Sequence, residues 1–189
     1  HHDARRQRQM CIRDSYKYVS NKSINEVKDK STLLSNGNLY VAKFNDNFTG
    51  EWLLLDTQTT GLSSKAEVCI FTRLAASKVG ATTMDRPEWI ASNPKKNEVC
   101  CCLTNNKNRG IKTNKGGDKV DVDKVNPRKN NKYGQIVRWK PRDNNHSSVY
   151  FEWDLFVVAG NPNVHDDNNR GSKYIDKENM FNSPDGLKF

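Results

Sequence analysis

The chain has 189 residues, of which 34% are hydrophobic, 9% aromatic and 28% charged, with a formal net charge of +9. That length is enough for one domain with a real core, and an ordinary aromatic content argues against general disorder. No stretch reaches the roughly 18 apolar residues of a membrane span, so no transmembrane helix is expected.

Residues 1–15 stand apart from the rest of the chain. "RQRQMCIRDS" (residues 6–15) has no apolar periodicity, and "QMCIRDS" resembles the translation of a DNA-library adapter, CAG ATG TGT ATA AGA GAC AGC. Residues 1–15 are therefore expected to be an unstructured artefact of gene assembly, and residues 16–189 the folded domain. The alternative is a natural basic tail. This segment carries four Arg and two Asp, so without it the charge falls from +9 to +7. Much of the remainder lies in one loop, residues 107–132, which licenses a weak general attraction for anions.

From Tyr16 onward the signals are those of strands. "YKYVS" (16–20) alternates like a strand end. "NLYVAKF" (38–44) alternates Leu39, Val41 and Lys43 against Tyr40, Ala42 and Phe44. Turn residues "NDNFTG" and a returning "EWLLL" (51–55) complete a hairpin. "SKAEVCIFTRLAASKVG" then has helix punctuation at both ends. Ser64 and Glu67 have capping-box spacing, and Gly80 follows the last turn. Ile70 and Leu74, with Ala66 and Val79, suggest the apolar stripe of one helix over 65–79. "EWIAS" (88–92), the turn "NPKKN" and "EVCCCLTNN" (98–106) form a second hairpin. A long polar loop over 106–132 leads to "GQIVRWK" (134–140) and "SVYFEWDLFVVAG" (148–160), a third hairpin. In its last strand Phe151, Trp153 and Leu155 face one way, and Tyr150, Glu152 and Asp154 the other. The chain closes on "FNSPDGLKF", which reads as a strand without a stop signal and so as a truncated end.

The expected class is mainly β: antiparallel hairpins with one inserted helix, arranged as propeller blades or as a sandwich. The cysteines add no chemistry. Cys100, Cys101 and Cys102 are consecutive in a strand, so neighbours point to opposite faces, and with Cys69 they read as small buried hydrophobes rather than a metal or disulfide framework. His146 and His165 read as solvated loop residues.

The densest chemistry is in "GATTMDRPEWIASNP" (80–94), where Asp85, Arg86 and Glu88 surround Pro87 at the exit from the helix. Pro87 fixes its own backbone angle and disfavours helix at Arg86, so a stiff, extended connection is expected. A guanidinium held this way suits a phosphate or carboxylate, and a neighbouring carboxylate suits a hard cation. The competing reading is a local salt bridge that pins the connection.

In one order, "YKYVS", "NLYVAKFNDNFTGEWLLL", "TRLAASKVGATTMDRPEWIASNPKKNEV", "LTNN", "NPRKNNKYGQIVRW", "FEWDLFVVAG" and "SPDGL" resemble the C-terminal half of the PhoX-type alkaline phosphatases. The resemblance implies an extracytoplasmic enzyme, periplasmic or secreted, on a six-bladed β-propeller with an iron and calcium cluster on its axis. It implies that Arg86 is the catalytic residue contacting the substrate phosphate, that Glu88 ligates the metal cluster, and that Asp185 in "SPDG" is a further ligand, to calcium. Asp85 is then expected to orient Arg86. The implied partner is a phosphate monoester, bound by a monomer, with no nucleic acid and no membrane. Residues 16–189 would be a partial propeller, inactive alone, because the upstream paired-glutamate metal motif lies outside the sequence. Gln135 stands where histidine is expected in many relatives. Two other functions remain open: a non-catalytic propeller used for binding, and a basic module binding anions or nucleic acid through the 106–132 loop.

Overall fold

The structure is a computed structural model that describes residues 14–113 and 120–189. The expectation for residues 1–15 therefore falls almost wholly outside the described residues. Asp14 and Ser15 are described, and both are buried. The Ser15 carbonyl accepts from the Ala42 amide, so these two residues pack with the sheet.

The three expected hairpins form. β1 (Tyr16–Ser20) pairs with β2 (Gly37–Phe44), and β2 with β3 (Thr49–Leu55). β4 (Pro87–Ser92) pairs with β5 (Val99–Leu103), β5 with β6 (Gln135–Pro141) and β6 with β7 (Tyr150–Val158). All are antiparallel. β3 and β7 join the two groups through Thr49–Glu152, Gly50–Phe151 and Glu51–Tyr150. One seven-stranded sheet results, in the order β1-β2-β3-β7-β6-β5-β4.

The sheet is strongly curled. Laid flat, seven strands would separate the outer two by roughly 29 Å at the usual inter-strand spacing. Yet β1 and β4 line the same cavity. The concave face carries the core: Phe44, Trp52, Trp139, Phe151 and Trp153 pack together with Val99, Cys101, Leu103 and Val137. Their rings meet mostly edge to face, with Phe44 5.2 Å from Phe151 and Trp52 6.1 Å from Trp139, the geometry favoured by ring quadrupoles. Phe151 and Trp153 turn inward as their alternation predicts, while Tyr150 and Glu152 are exposed.

The helical segment corrects the sequence reading. After a short α1 (Thr57–Thr60), two helices replace the one expected over 65–79: α2 (Lys65–Ile70) and α3 (Thr72–Lys78). Phe71 leaves helical geometry at ψ 38°, and the Thr72 hydroxyl bonds back to the Cys69 carbonyl at 2.5 Å, a local competitor of the helix ladder. Ser64 caps α2 by accepting the Glu67 amide. The buried face is Val68, Ala75 and Ala76, packed on Val41 and Leu55. Ile70 and Leu74 are 73% and 50% exposed, so these two members of the expected stripe point outward, while Val79 packs on the core. The break at Phe71 rotates the two halves relative to one another, which a single 3.6-residue period does not anticipate. Cys69 is exposed as well, against the expectation of burial.

Candidate active site

The corner before β4 is tightly built. Met84 and Asp85 are fully buried, and Pro87 opens the strand. Between them Arg86 adopts φ 53°, a left-handed backbone instead of the extended one expected before proline. That conformation costs a non-glycine residue about 1–2 kcal/mol. Two backbone bonds hold it: the Arg86 amide to the Met84 carbonyl at 3.0 Å, and the Thr104 amide to the Arg86 carbonyl at 3.1 Å. Proline disfavours the right-handed alternative, and burial on one side with strand pairing on the other holds the turned-out arrangement.

The turn sends Arg86 outward. Its side chain is 51% exposed, with Nη2 3.6 Å from Glu88 Oε1 and Nη1 3.3 Å from Asn105 Oδ1. Arg86 lines an open cavity of about 400 Å³ together with Asn105, Asn106, Lys107 and Asn108. The lining holds two cations and three amides but no carboxylate, which is the chemistry of an anion site.

The segment carrying Asp185 reaches the same corner. Its Asp185 carbonyl accepts the Trp89 amide at 3.2 Å. The Pro184 carbonyl accepts the Thr104 hydroxyl at 3.1 Å, and Ser183 Oγ accepts from Asn105 Nδ2 at 3.3 Å. Asn105 thus bridges Arg86 and the 183–186 segment. Asp185 itself is exposed. Burial pushes the Cys102 thiol above its ordinary range, and the Asp185 and Glu88 carboxylates push it further. Both carboxylates therefore act on one point of β5. The structure gathers Arg86, Glu88 and Asp185 at one end of the β4–β5 hairpin.

Asp85 has a different role from the one expected. Its carboxylate accepts Arg109 Nε at 2.8 Å and Asn131 Nδ2 at 2.8 Å, and its amide donates to Asn126 Oδ1 at 3.0 Å. It orients Arg109 and the interior, not Arg86. Arg109 also donates to the carbonyls of Thr83 and Asp121 at 2.7 and 2.9 Å. Asn131 donates to Gln135 Oε1 at 2.7 Å, and Gln135 donates to the Val125 carbonyl at 2.9 Å. The loop that reads as merely polar is thus an interior hydrogen-bond network under the Arg86 corner. Asn106 ties it to the cavity wall, its amide donating to the Asn131 carbonyl at 2.7 Å. Asn105, Arg109 and Asn131 are the residues that sequence reasoning missed. The signal for Asn105 and Asn131 lay in the "LTNN" and "NPRKNN" segments, whose asparagines need partners if buried; Arg109 lies between them and carried none.

His165 is not simply solvated. Its Nε2 is 2.8 Å from the Tyr133 hydroxyl and its Nδ1 3.9 Å from Asp167 Oδ1. Cys100, Cys101 and Cys102 are buried and free, and burial raises Cys100 to about 11 and Cys101 to about 12, so they are inert thiols in a strand. Among the described residues no three of His, Cys, Asp and Glu are grouped to hold a metal ion, and no helix is long and apolar enough to cross a membrane.

A family model described as alkaline phosphatase PhoX matches residues 12–189. No curated protein matches the chain. Among solved structures, the chain is similar to Pseudomonas fluorescens PhoX in complex with vanadate, a transition state analogue, at 45% identity and a TM-score of 0.82. That match covers 94% of this chain, which spans 32% of the length of the other.

Proposed function

The chain belongs to the alkaline phosphatase PhoX family, and on that premise we propose that it supplies part of the active site of a metal-dependent phosphatase hydrolysing phosphate monoesters. The observation carrying this reading is Arg86: a half-exposed guanidinium on a left-handed corner, facing a cavity whose lining contains Lys107 and no carboxylate. The vanadate complex of the neighbour supports it, since that ligand is described as a transition state analogue of that protein.

In this reading Arg86 holds phosphoryl oxygens through two N–H groups, and Lys107 adds a second positive charge. Asn105 keeps the guanidinium aimed by accepting one of its N–H bonds. Phosphoryl transfer spreads charge over these oxygens, so fixed donors stabilise the transition state more than the ground state. Glu88 lies beside Arg86 and limits its rotation.

The family resemblance implies calcium and iron. The chain's donors fit in kind: Glu88 and Asp185 are oxygen ligands suited to a hard cation, joined through the bond between the Trp89 amide and the Asp185 carbonyl. They do not make a closed site by themselves, and other donors would come from outside this segment. When bound, such cations neutralise the ester and activate the attacking oxygen. We further propose that the curled sheet is part of a six-bladed propeller, that the enzyme works as a monomer in the periplasm or outside the cell, and that residues 1–189 alone are inactive. Nucleic acid is not proposed as a partner: Arg109 and Arg128 of the basic loop are turned inward, and no aromatic lies within that loop to stack a base.

The test is turnover of a chromogenic phosphate monoester by a protein of the neighbour's length carrying this segment. Chelation should abolish activity, and Arg86→Ala should lower kcat by about 100-fold or more, the usual loss for one transition-state donor. Full turnover in Arg86→Ala would favour the non-catalytic reading, in which Arg86 and Glu88 are only a salt bridge.

A further inference from the structure

A second cavity lies away from Arg86, where the curled sheet brings its two ends together. It has a volume of about 610 Å³, within the range of roughly 300–1,000 Å³ typical of small-molecule sites. One wall is β1 with Tyr16, Lys17 and Tyr18. The other is Ile90 and Ser92 of β4 with Val99 of β5, and Trp52 and Trp139 complete it. None of these residues lines the Arg86 cavity.

Charge on this cavity has one sign. Lys17 and Lys22 line it, and no Asp or Glu does. Lys17 is the inner cation. Its ammonium lies 4.8 Å from the centre of the Trp52 ring and 5.6 Å from that of Tyr40. It donates to the carbonyls of Ser148 at 2.6 Å and His146 at 3.3 Å. An ammonium has three donors, so one remains. Among the described residues no carboxylate forms an ion pair with Lys17. A half-buried cation without a counter-charge is costly. An anion entering the cavity would relieve that cost while its apolar body covered the half-buried Tyr16 and Tyr18 and the exposed Ile90.

We infer that this cavity binds a small organic anion, a carboxylate on an aromatic body, with its charge on Lys17 and its rings against Tyr16, Tyr18 and Ile90, above the rims of the buried Trp52 and Trp139. Two features select that class over others. A free inorganic anion would leave the apolar surface of Tyr16, Tyr18 and Ile90 wet, and a neutral aromatic would leave Lys17 unpaired. The site is separate from the phosphoryl cavity and does not depend on the phosphatase reading.

The test uses 2-naphthoate and its neutral counterpart 2-naphthalenemethanol, titrated into the chain and followed by calorimetry and by the fluorescence of the wall tryptophans. Naphthoate should bind saturably at one site, about tenfold or more tighter than the alcohol, the value of a charge-assisted hydrogen bond. Lys17→Met should remove that preference, and Lys22→Gln should largely keep it. Burial lowers the Lys17 amine to about 8. Raising the pH from about 7 to about 9.5 discharges it and should weaken naphthoate binding, since the carboxylate does not titrate there. Tyr16, Tyr18, Lys22 and His146 also line the cavity, so the pH effect is read as the difference between wild type and Lys17→Met. Should Lys17→Met not fold, the pH series and the naphthoate-to-alcohol ratio in the wild type decide. Equal binding of the two probes, binding unchanged by pH, or no saturable binding would each overturn the proposal.

Discussion

Asp85→Asn removes one negative charge from the interior and little volume. Asp85 and Arg109 are 0% and 1% exposed, with Nε and Oδ1 2.8 Å apart. Two unit charges about 4 Å apart attract by about 4 kcal/mol at the effective dielectric of 20 that suits protein sites. Measured losses on breaking a buried pair from one side are about 3–5 kcal/mol, because the remaining charge stays buried without its partner. Some of this is recovered here. Arg109 keeps the Thr83 and Asp121 carbonyls, and Asp123 Oδ2 lies 4.0 Å from Nη1. The expected loss is therefore about 3 kcal/mol, at the lower end of that range. In a domain of this size it should lower Tm by roughly 6–12 °C. Urea unfolding followed by circular dichroism reads it as a shifted midpoint with unchanged slope. The double variant Asp85→Asn/Arg109→Gln should lose less than the sum of the single losses, by about 1–3 kcal/mol. A single variant within about 0.5 kcal/mol of wild type, the range of an inconsequential surface change, would refute the buried pair as the anchor of this corner. Strict additivity would do the same.

The buried thiols and the tight glycine turn lead to two more expected outcomes. Alkylation of the native chain at mildly alkaline pH should label Cys69 and spare Cys100, Cys101 and Cys102, and all four should react in urea. Comparable native labelling of β5, read by peptide mass spectrometry, would show that the strand is open. Gly134 sits at φ 80°, and a Cβ there would run into the carbonyl oxygens of Leu103 and Thr104. Gly134→Ala should thus cost roughly 2 kcal/mol or more from strain and displaced backbone, and a neutral result in the same urea assay would contradict that close approach.

Strand positions were legible from residue order because side chains on a strand alternate with period two, and the turns carry their own chemistry. Tyr16–Ser20, both strands of each hairpin and the inward Phe151 and Trp153 needed nothing further. The capping serine and Gly80 marked the ends of the helical segment for the same local reason. The break at Phe71 and the outward Ile70 and Leu74 did not show, because which helical face is buried depends on what packs against it. Arg86 and Glu88 stood out from the charges around Pro87, Asp185 and the three roles came from likeness to a family, and their convergence beside Asn105 became visible only in three dimensions. The partner of Asp85 was settled by the fold alone: Arg109 lies 24 positions away and Asn131 46. A carboxylate can be satisfied by any donor that reaches it, and that choice belongs to the loop's path through the interior rather than to the neighbours of Asp85 in the chain.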